Sequence, residues 1–271
     1  MAERLKTKPK ARDRNGVQVI ARAAEILRAL EGINGMSLGQ LARQVSLPKS
    51  TVQRIVNALD SENFVVSAFP GGRLRLGPAL VRISQSIQFP IAETARPYLR
   101  ELSKKTGETV DLAVLDGRKA VFVEQIPGSH RLRAVSAIGV SFPLHCTANG
   151  KAMLAALDAE ELRRLKKRMR LTAFTENSIR SWEKLEQELL RIRETGLAYD
   201  REEHSMGISA IGTAIIGFEG EIAAITIPTP TVRFAKKEPE LAKALKLCGD
   251  AIDKILGGSP GRRRLAGTFA E

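Results

Sequence analysis

The run Leu47-Pro48-Lys49-Ser50-Thr51-Val52-Gln53-Arg54-Ile55-Val56-Asn57-Ala58-Leu59 carries two chemistries on one helix. With about 100° of rotation per residue, Val52, Ile55, Val56 and Leu59 gather into a narrow apolar stripe. Ser50, Arg54, Asn57 and Ser61 fall on the opposite side, with Gln53 at the flank. Pro48 suits the first turn, where a missing N–H costs nothing. A helix face that is merely solvated is usually laced with Lys and Glu; this one presents a guanidinium, amides and hydroxyls. Arg suits guanine and Asn or Gln suit adenine in a major groove, while Ser and Thr reach phosphates.

Outward from this run, the flanks agree. Toward the N-terminus, Val19, Ile20, Ala23, Ile26, Leu27 and Leu30 recur at helical spacing, and Glu31-Gly32 and Asn34-Gly35 end that helix. Ser37 caps a short second helix with Leu38, Leu41, Ala42 and Val45 on one face. Two short helices joined by a tight turn, the second with a base-reading face, form a helix-turn-helix. After Asn63 the period drops to two. Phe64-Val65-Val66 and Arg73-Leu74-Arg75-Leu76 read as strands around a Pro70-Gly71-Gly72 turn, leucines inward and arginines outward. This hairpin is a wing, with Arg73 placed for phosphate or the minor groove.

Charge supports a nucleic-acid partner. The 271 residues carry 43 basic and 30 acidic side chains, a net +13, and residues 1–89 hold 14 of the former against 6 of the latter. About a third of the chain therefore supplies most of the excess. Aromatic content of 4% argues against base-stacking platforms for single strands or RNA. No apolar run approaches the roughly 18 residues of a membrane span. With no signal-peptide pattern at Met1–Arg14, and with Cys146 and Cys248 in no metal or redox spacing, the expected compartment is the cytoplasm.

Beyond Phe89-Pro90 the pattern is mixed. Helices are expected at Ile91–Thr106, Gly150–Leu157, Ala159–Arg168 and Trp182–Glu194. Strands are expected at Thr109–Leu115, Ala120–Gln125, Leu132–Ala137, Gly207–Gly217 and Glu221–Ile227. Asp116-Gly117 is a hairpin signal. Hairpins interspersed with helices predict an α+β domain with a largely antiparallel sheet.

The segments Leu41-Ala42-Arg43, Leu47-Pro48-Lys49-Ser50-Thr51-Val52-Gln53-Arg54 and Arg73-Leu74-Arg75-Leu76-Gly77 resemble the DNA-binding domain of the IclR family of bacterial transcription regulators. The resemblance continues through Gly139-Val140-Ser141-Phe142-Pro143-Leu144-His145, Thr147-Ala148-Asn149-Gly150-Lys151-Ala152-Met153-Leu154 and Thr195 to His204. It implies a winged helix-turn-helix domain at 16–77 behind a basic arm (1–15), a linker helix (78–90), a GAF-like effector domain (91–257) and a basic tail (258–271). It further implies a homodimer or dimer of dimers on double-stranded operator DNA, tuned by a small organic or aromatic acid. DNA contacts are expected from Pro48, Lys49, Ser50, Thr51, Gln53, Arg54, Asn57 and Arg73. The ligand is expected against Leu132, Ala134, Ala148, Asn149, Asp200, Ala210 and Thr226, with a carboxylate held by backbone N–H groups where the Gly150 helix begins. Two departures bear on the ligand: Ala214 stands where the family commonly has proline, and Pro228 where it has a small polar residue.

Other readings compete. No hydrolase, metalloprotease or phosphate-loop motif is present, and no cofactor motif. His145-Cys146 suggests a thiol nucleophile, but neighbours on an extended strand point to opposite faces. Asp200, Glu203, His204 and His145 could gather around a metal, though no ligand spacing demands one. The rivals to a regulator are an enzyme with a fused DNA-binding domain and a sequence-blind architectural DNA protein. Arg163-Arg164 and Lys166-Lys167-Arg168 share a helix with Glu160 and Glu161 and read as a solvated face.

Overall fold

A computed structural model describes residues 13–31, 35–68, 72–84, 90–134, 136–218 and 220–257. The chain divides between Gln88 and Phe89 into two compact units. Residues 1–12 of the basic arm and the whole tail lie outside the described residues, as does the centre of the wing turn; residues 13–15 open the first helix.

The first unit runs α1 (Asp13–Ala29), α2 (Leu38–Gln44), α3 (Lys49–Ser61), β1 (Val65–Ala68), β2 (Arg73–Leu76) and α4 (Pro78–Ser84). Ser37 closes a capping box on α2, its hydroxyl accepting from Gln40 N–H while the Gln40 side chain accepts from Ser37 N–H. Pro48 stands at the N-cap of α3, one step before the expected first turn, and its carbonyl accepts the N–H groups of Thr51 and Val52. Ile26, Leu30, Leu41, Val52, Val56 and Val65 form the small core. The strands pair antiparallel with Val65 opposite Leu76, and a bridge from Met36 to Leu74 ties the hairpin to the entry of α2. Leu74 is buried as expected, but Leu76 is 38% exposed. Only Leu74 reaches the core, because a two-stranded ribbon leaves its end residue uncovered. The expected linker helix is α4, ending at Ser84; residues 85–89 lie outside the described set.

The second unit runs α5 (Pro90–Thr106), β3 (Val110–Asp116), β4 (Lys119–Ile126), β5 (Ser141–Pro143), α6 (Ala148–Ala156), α7 (Ala159–Lys166), α8 (Trp182–Thr195), β6 (Ala198–Arg201), β7 (Ile208–Ile216), β8 (Ile222–Pro230) and α9 (Thr231–Ile255). The six strands form one antiparallel sheet in the order β5-β4-β3-β8-β7-β6. Because strand residues alternate faces, the sheet has two cores. Val110, Leu112, Ile211, Ile215, Ile225 and Ile227 pack with α5 and α9. Ala113, Ala120, Phe122, Ala198 and Ala224 pack with α6 and α8. Alanines on the second face let α6 approach closely. An added Cβ at Gly150 would lie 2.3 Å from Leu144 Cα, and one at Gly212 3.0 Å from the Ala148 carbonyl carbon.

The strand expected at Leu132–Ala137 does not form; its described residues are irregular. His145 and Cys146 sit in the turn before α6 rather than on a strand, both buried. The alternation argument against their cooperation therefore falls. The α+β class and the winged helix-turn-helix beside a GAF-like antiparallel-sheet domain stand.

Candidate functional site

Above the alanine-lined face, the first turn of α6 and the ends of the strands enclose a cavity of about 250 Å³. Sheet register explains which residues meet there. Thr226 pairs with Asp111 on one side and Gly212 on the other, and Ala210 lies between Asp200 and Pro228. These positions share one face, two residues apart along the strands. Phe122, Phe142 and His204 supply the aromatic wall. Phe142 stacks on His204 at 4.4 Å between centroids and meets the edge of Phe122 at 4.9 Å.

The polar lining is built tightly. Thr147 caps α6, its hydroxyl accepting from Gly150 N–H, which Asn149 Oδ1 also accepts at 2.8 Å. The amides of Ala148 and Asn149, the first two residues of the helix, donate to no protein acceptor among the described residues. Such helix-start N–H groups are hydrogen-bond donors with a partial positive charge behind them. Asp200 Oδ1 accepts from Glu203 N–H at 2.7 Å, yet burial dominates and pushes its carboxyl up to about 7. Asp111 is likewise raised to about 6 by burial, against the opposing hydrogen bonds of Ser136 and Gln125.

Behind Asp200 lies a buried ion cluster. Lys151 on α6 is 1% exposed, and its Nζ sits 2.5 Å from Glu203 Oε1 and 3.5 Å from Glu188 Oε1. Burial raises the Glu203 carboxyl while Lys151 pulls it back. His145 Nε2 lies 2.9 Å from the Thr172 carbonyl, and His204 Nδ1 3.0 Å from Ser205 Oγ; burial lowers both imidazoles. Asp200 is tied to the Glu203 backbone, Glu203 to Lys151, His145 to Thr172 and His204 to Ser205, and among the described residues no group of three or more such residues is placed to hold a metal. Burial pushes the Cys146 thiol up to about 12, far from a nucleophile's range.

In the first unit, the exposed face of α3 presents Lys49, Ser50, Gln53, Arg54 and Asn57, with Thr51 half-buried and Pro48 exposed at its start. Gln53 Nε2–H donates to Asn57 Oδ1 at 2.7 Å, so the two amides form one unit a turn apart. Arg73 and Arg75 are exposed on β2.

Residues 85–254 match the bacterial transcriptional regulator IclR C-terminal domain, and residues 19–67 match the IclR helix-turn-helix domain. The chain belongs to the IclR family of bacterial transcription regulators. The HTH-type transcriptional regulator Rv1719 of Mycobacterium tuberculosis is 44% identical to it over 92% of this chain and 96% of its own length. The crystal structure of the Thermotoga maritima IclR superposes with a TM-score of 0.74 at 28% identity, covering 89% of this chain and 99% of that one. An IclR homolog from Microbacterium hydrocarbonoxydans, complexed with 4-hydroxybenzoate, shares the fold at TM-score 0.73 and 19% identity, over 89% of this chain and 100% of that one.

In this IclR-family chain, six of the seven residues expected around a ligand line the cavity: Ala134, Ala148, Asn149, Asp200, Ala210 and Thr226. Leu132 does not. Its side chain is 71% exposed and its carbonyl accepts from Arg233 Nη2 at 2.9 Å, because the segment is a loop with no strand alternation to aim it inward. Sequence reading leaves Asp111, Lys151, Phe122 and Phe142 without a site role and sets His204 among candidate metal ligands; the structure places all five at or behind the cavity. Two signals were available: a lone acid inside the apolar run Val110–Leu115, and a lysine between apolar neighbours in Ala148–Ala156.

Proposed function

We propose that this IclR-family regulator binds its operator sequence-specifically as a homodimer, or a dimer of dimers, and that a small organic molecule in the cavity changes its DNA affinity. Two α3 helices would enter successive major grooves of a pseudo-palindromic site about one or more helical turns apart. Arg54, Gln53 and Asn57 would read bases, while Pro48, Lys49, Ser50, Thr51 and Arg73 would lie along the backbone. The reading is of a cytoplasmic, cofactor-free protein that is not an enzyme.

The observation that carries the effector role is the cavity itself, closed by aromatic rings, floored by Ala210 and Pro228, and supplied with helix-start amides that have no acceptor among the described residues. Its volume of about 250 Å³ lies just below the roughly 300–1,000 Å³ typical of drug-sized ligand sites, which suits a small ligand. The raised Cys146 thiol and the engaged His145 support a binding role over a catalytic one.

The test is footprinting of the purified chain on its own upstream DNA, at fixed salt with competitor DNA, with and without a panel of small aromatic compounds. A protected palindrome whose affinity moves with a compound, by the 1–3 kcal/mol common for coupled sites, is expected. Equal binding to competitor DNA would mean an electrostatic, sequence-blind role and would overturn the proposal.

A further inference from the structure

The cavity's charges point to a narrower ligand class than an organic acid. Its lining contains two buried carboxyls, Asp111 and Asp200, and neither lysine nor arginine. The two lie on opposite sides: β8 and β7 separate β3 from β6, three strand spacings of about 4.8 Å. The buried cation behind the wall, Lys151, is shared between Glu203 and Glu188. These two carboxylates outnumber it, so the cluster offers no net positive charge to a ligand. His204 brings none either, since burial lowers its pKa.

Hydrogen-bonding capacity points the same way. The Ala148 and Asn149 amides can only donate, and an ionised Asp200 can only accept. Register places them together: Ala148 lies over Gly212, whose strand partner Ala198 is two residues from Asp200. A hydroxyl or primary amide both donates and accepts, and so can serve both sets. Above pH 7, where Asp200 is ionised, a carboxylate, which only accepts, would set its charge beside that of Asp200. Pro228, where the family commonly has a polar residue, leaves the adjoining floor without a donor.

We propose that the cavity selects an uncharged aromatic ligand bearing a hydroxyl or primary amide and discriminates against the matching carboxylate. This inference rests on the assignment of the cavity as the effector site. The ring stacks against Phe142 and His204, its polar group lies between the α6 amides and Asp200, and Asp200 is the residue that sets specificity.

The experiment is calorimetric titration of the full chain at pH 8 with benzyl alcohol, benzamide and benzoate, which differ only in the polar group. At least one neutral probe is expected to bind ten or more times tighter than the carboxylate. Asp200→Asn, which keeps an acceptor for Glu203 N–H, is expected to shrink that ratio below threefold. Equal or tighter binding of benzoate, an unchanged ratio in Asp200→Asn, or binding of none of the three would overturn the proposal. Ala210→Phe, which fills the cavity floor, separates the two readings. If the probes bind that variant unchanged while Trp182 fluorescence reports a folded domain, it is the site assignment that fails.

Discussion

Replacing Lys151 by methionine keeps nearly the same volume and deletes one buried charge. The ammonium is 1% exposed and 2.5 Å from Glu203 Oε1, and Glu203 Oε2 has no hydrogen-bond partner among the described residues. Without the lysine, the Glu203 carboxylate is stranded in a site that already disfavours its charge. Breaking a buried pair from one side costs about 3–5 kcal/mol. The penalty depends on pH in a definite direction. Burial raises the folded-state pKa of Glu203, and loss of Lys151 raises it further. A raised carboxyl is best tolerated when protonated, so the loss is largest at pH 8 and shrinks toward pH 5. Trp182 is the chain's one tryptophan and packs against the α6–α8 core, so its fluorescence reports the second unit specifically. With a urea slope of about 1–3 kcal/mol per molar, the midpoint at pH 8 should fall by roughly 1–5 M. The double variant Lys151→Met/Glu203→Gln, which removes both charges, should recover most of that. A single-variant loss below about 1 kcal/mol at pH 8, or a double variant no better than the single, would refute the claim that this cluster is an obligate pair.

Three further outcomes are expected. Arg54→Ala should weaken operator binding by about 1–3 kcal/mol and relax one base position, whereas Arg73→Ala should weaken all sequences alike and lower the salt slope by about one; competition binding across a salt series reads both. Asp111 and Asp200 are raised to about 6 and about 7, so the stability they contribute is full below pH 4 and lost as pH rises through those values. The urea midpoint of Trp182 emission should therefore drop between pH 5 and pH 8 by an amount worth about 2–4 kcal/mol, and Asp200→Asn should flatten the drop. Cys146, raised to about 12 and buried, should react with iodoacetamide at pH 8 roughly 100-fold more slowly in the folded chain than in urea; comparable rates would contradict its burial.

Local patterns carried the first unit and most elements of the second. The apolar stripe of Val52, Ile55 and Val56 marks one face of a helix whatever it packs on, and the Ser37 capping box is complete within four residues. Residues whose roles arise from long-range register were harder to read. Asp111 belongs to the cavity because it pairs with Thr226, 115 positions later, and nothing near it in the chain says so. Leu132 was misplaced for the complementary reason: an apolar-polar alternation looked like a strand, but the Arg233 hydrogen bond holds that backbone as a loop. The 25-residue α9 went unread altogether. Its interior Pro239 and frequent lysines blur the helical period, and its apolar residues become a stripe only against the sheet.

The hydrogen bond between Gln53 and Asn57 has an evolutionary corollary. A Gln–Asn hydrogen bond one turn apart on a helix surface is worth about 0.2–0.5 kcal/mol, a small bias of both side chains toward one shared arrangement. Changing either residue alone releases the other, so a single substitution alters two points of the proposed reading surface at once. Retargeting such a helix to a new binding site therefore proceeds most readily by paired changes at 53 and 57, with the intermediates less discriminating than either end state.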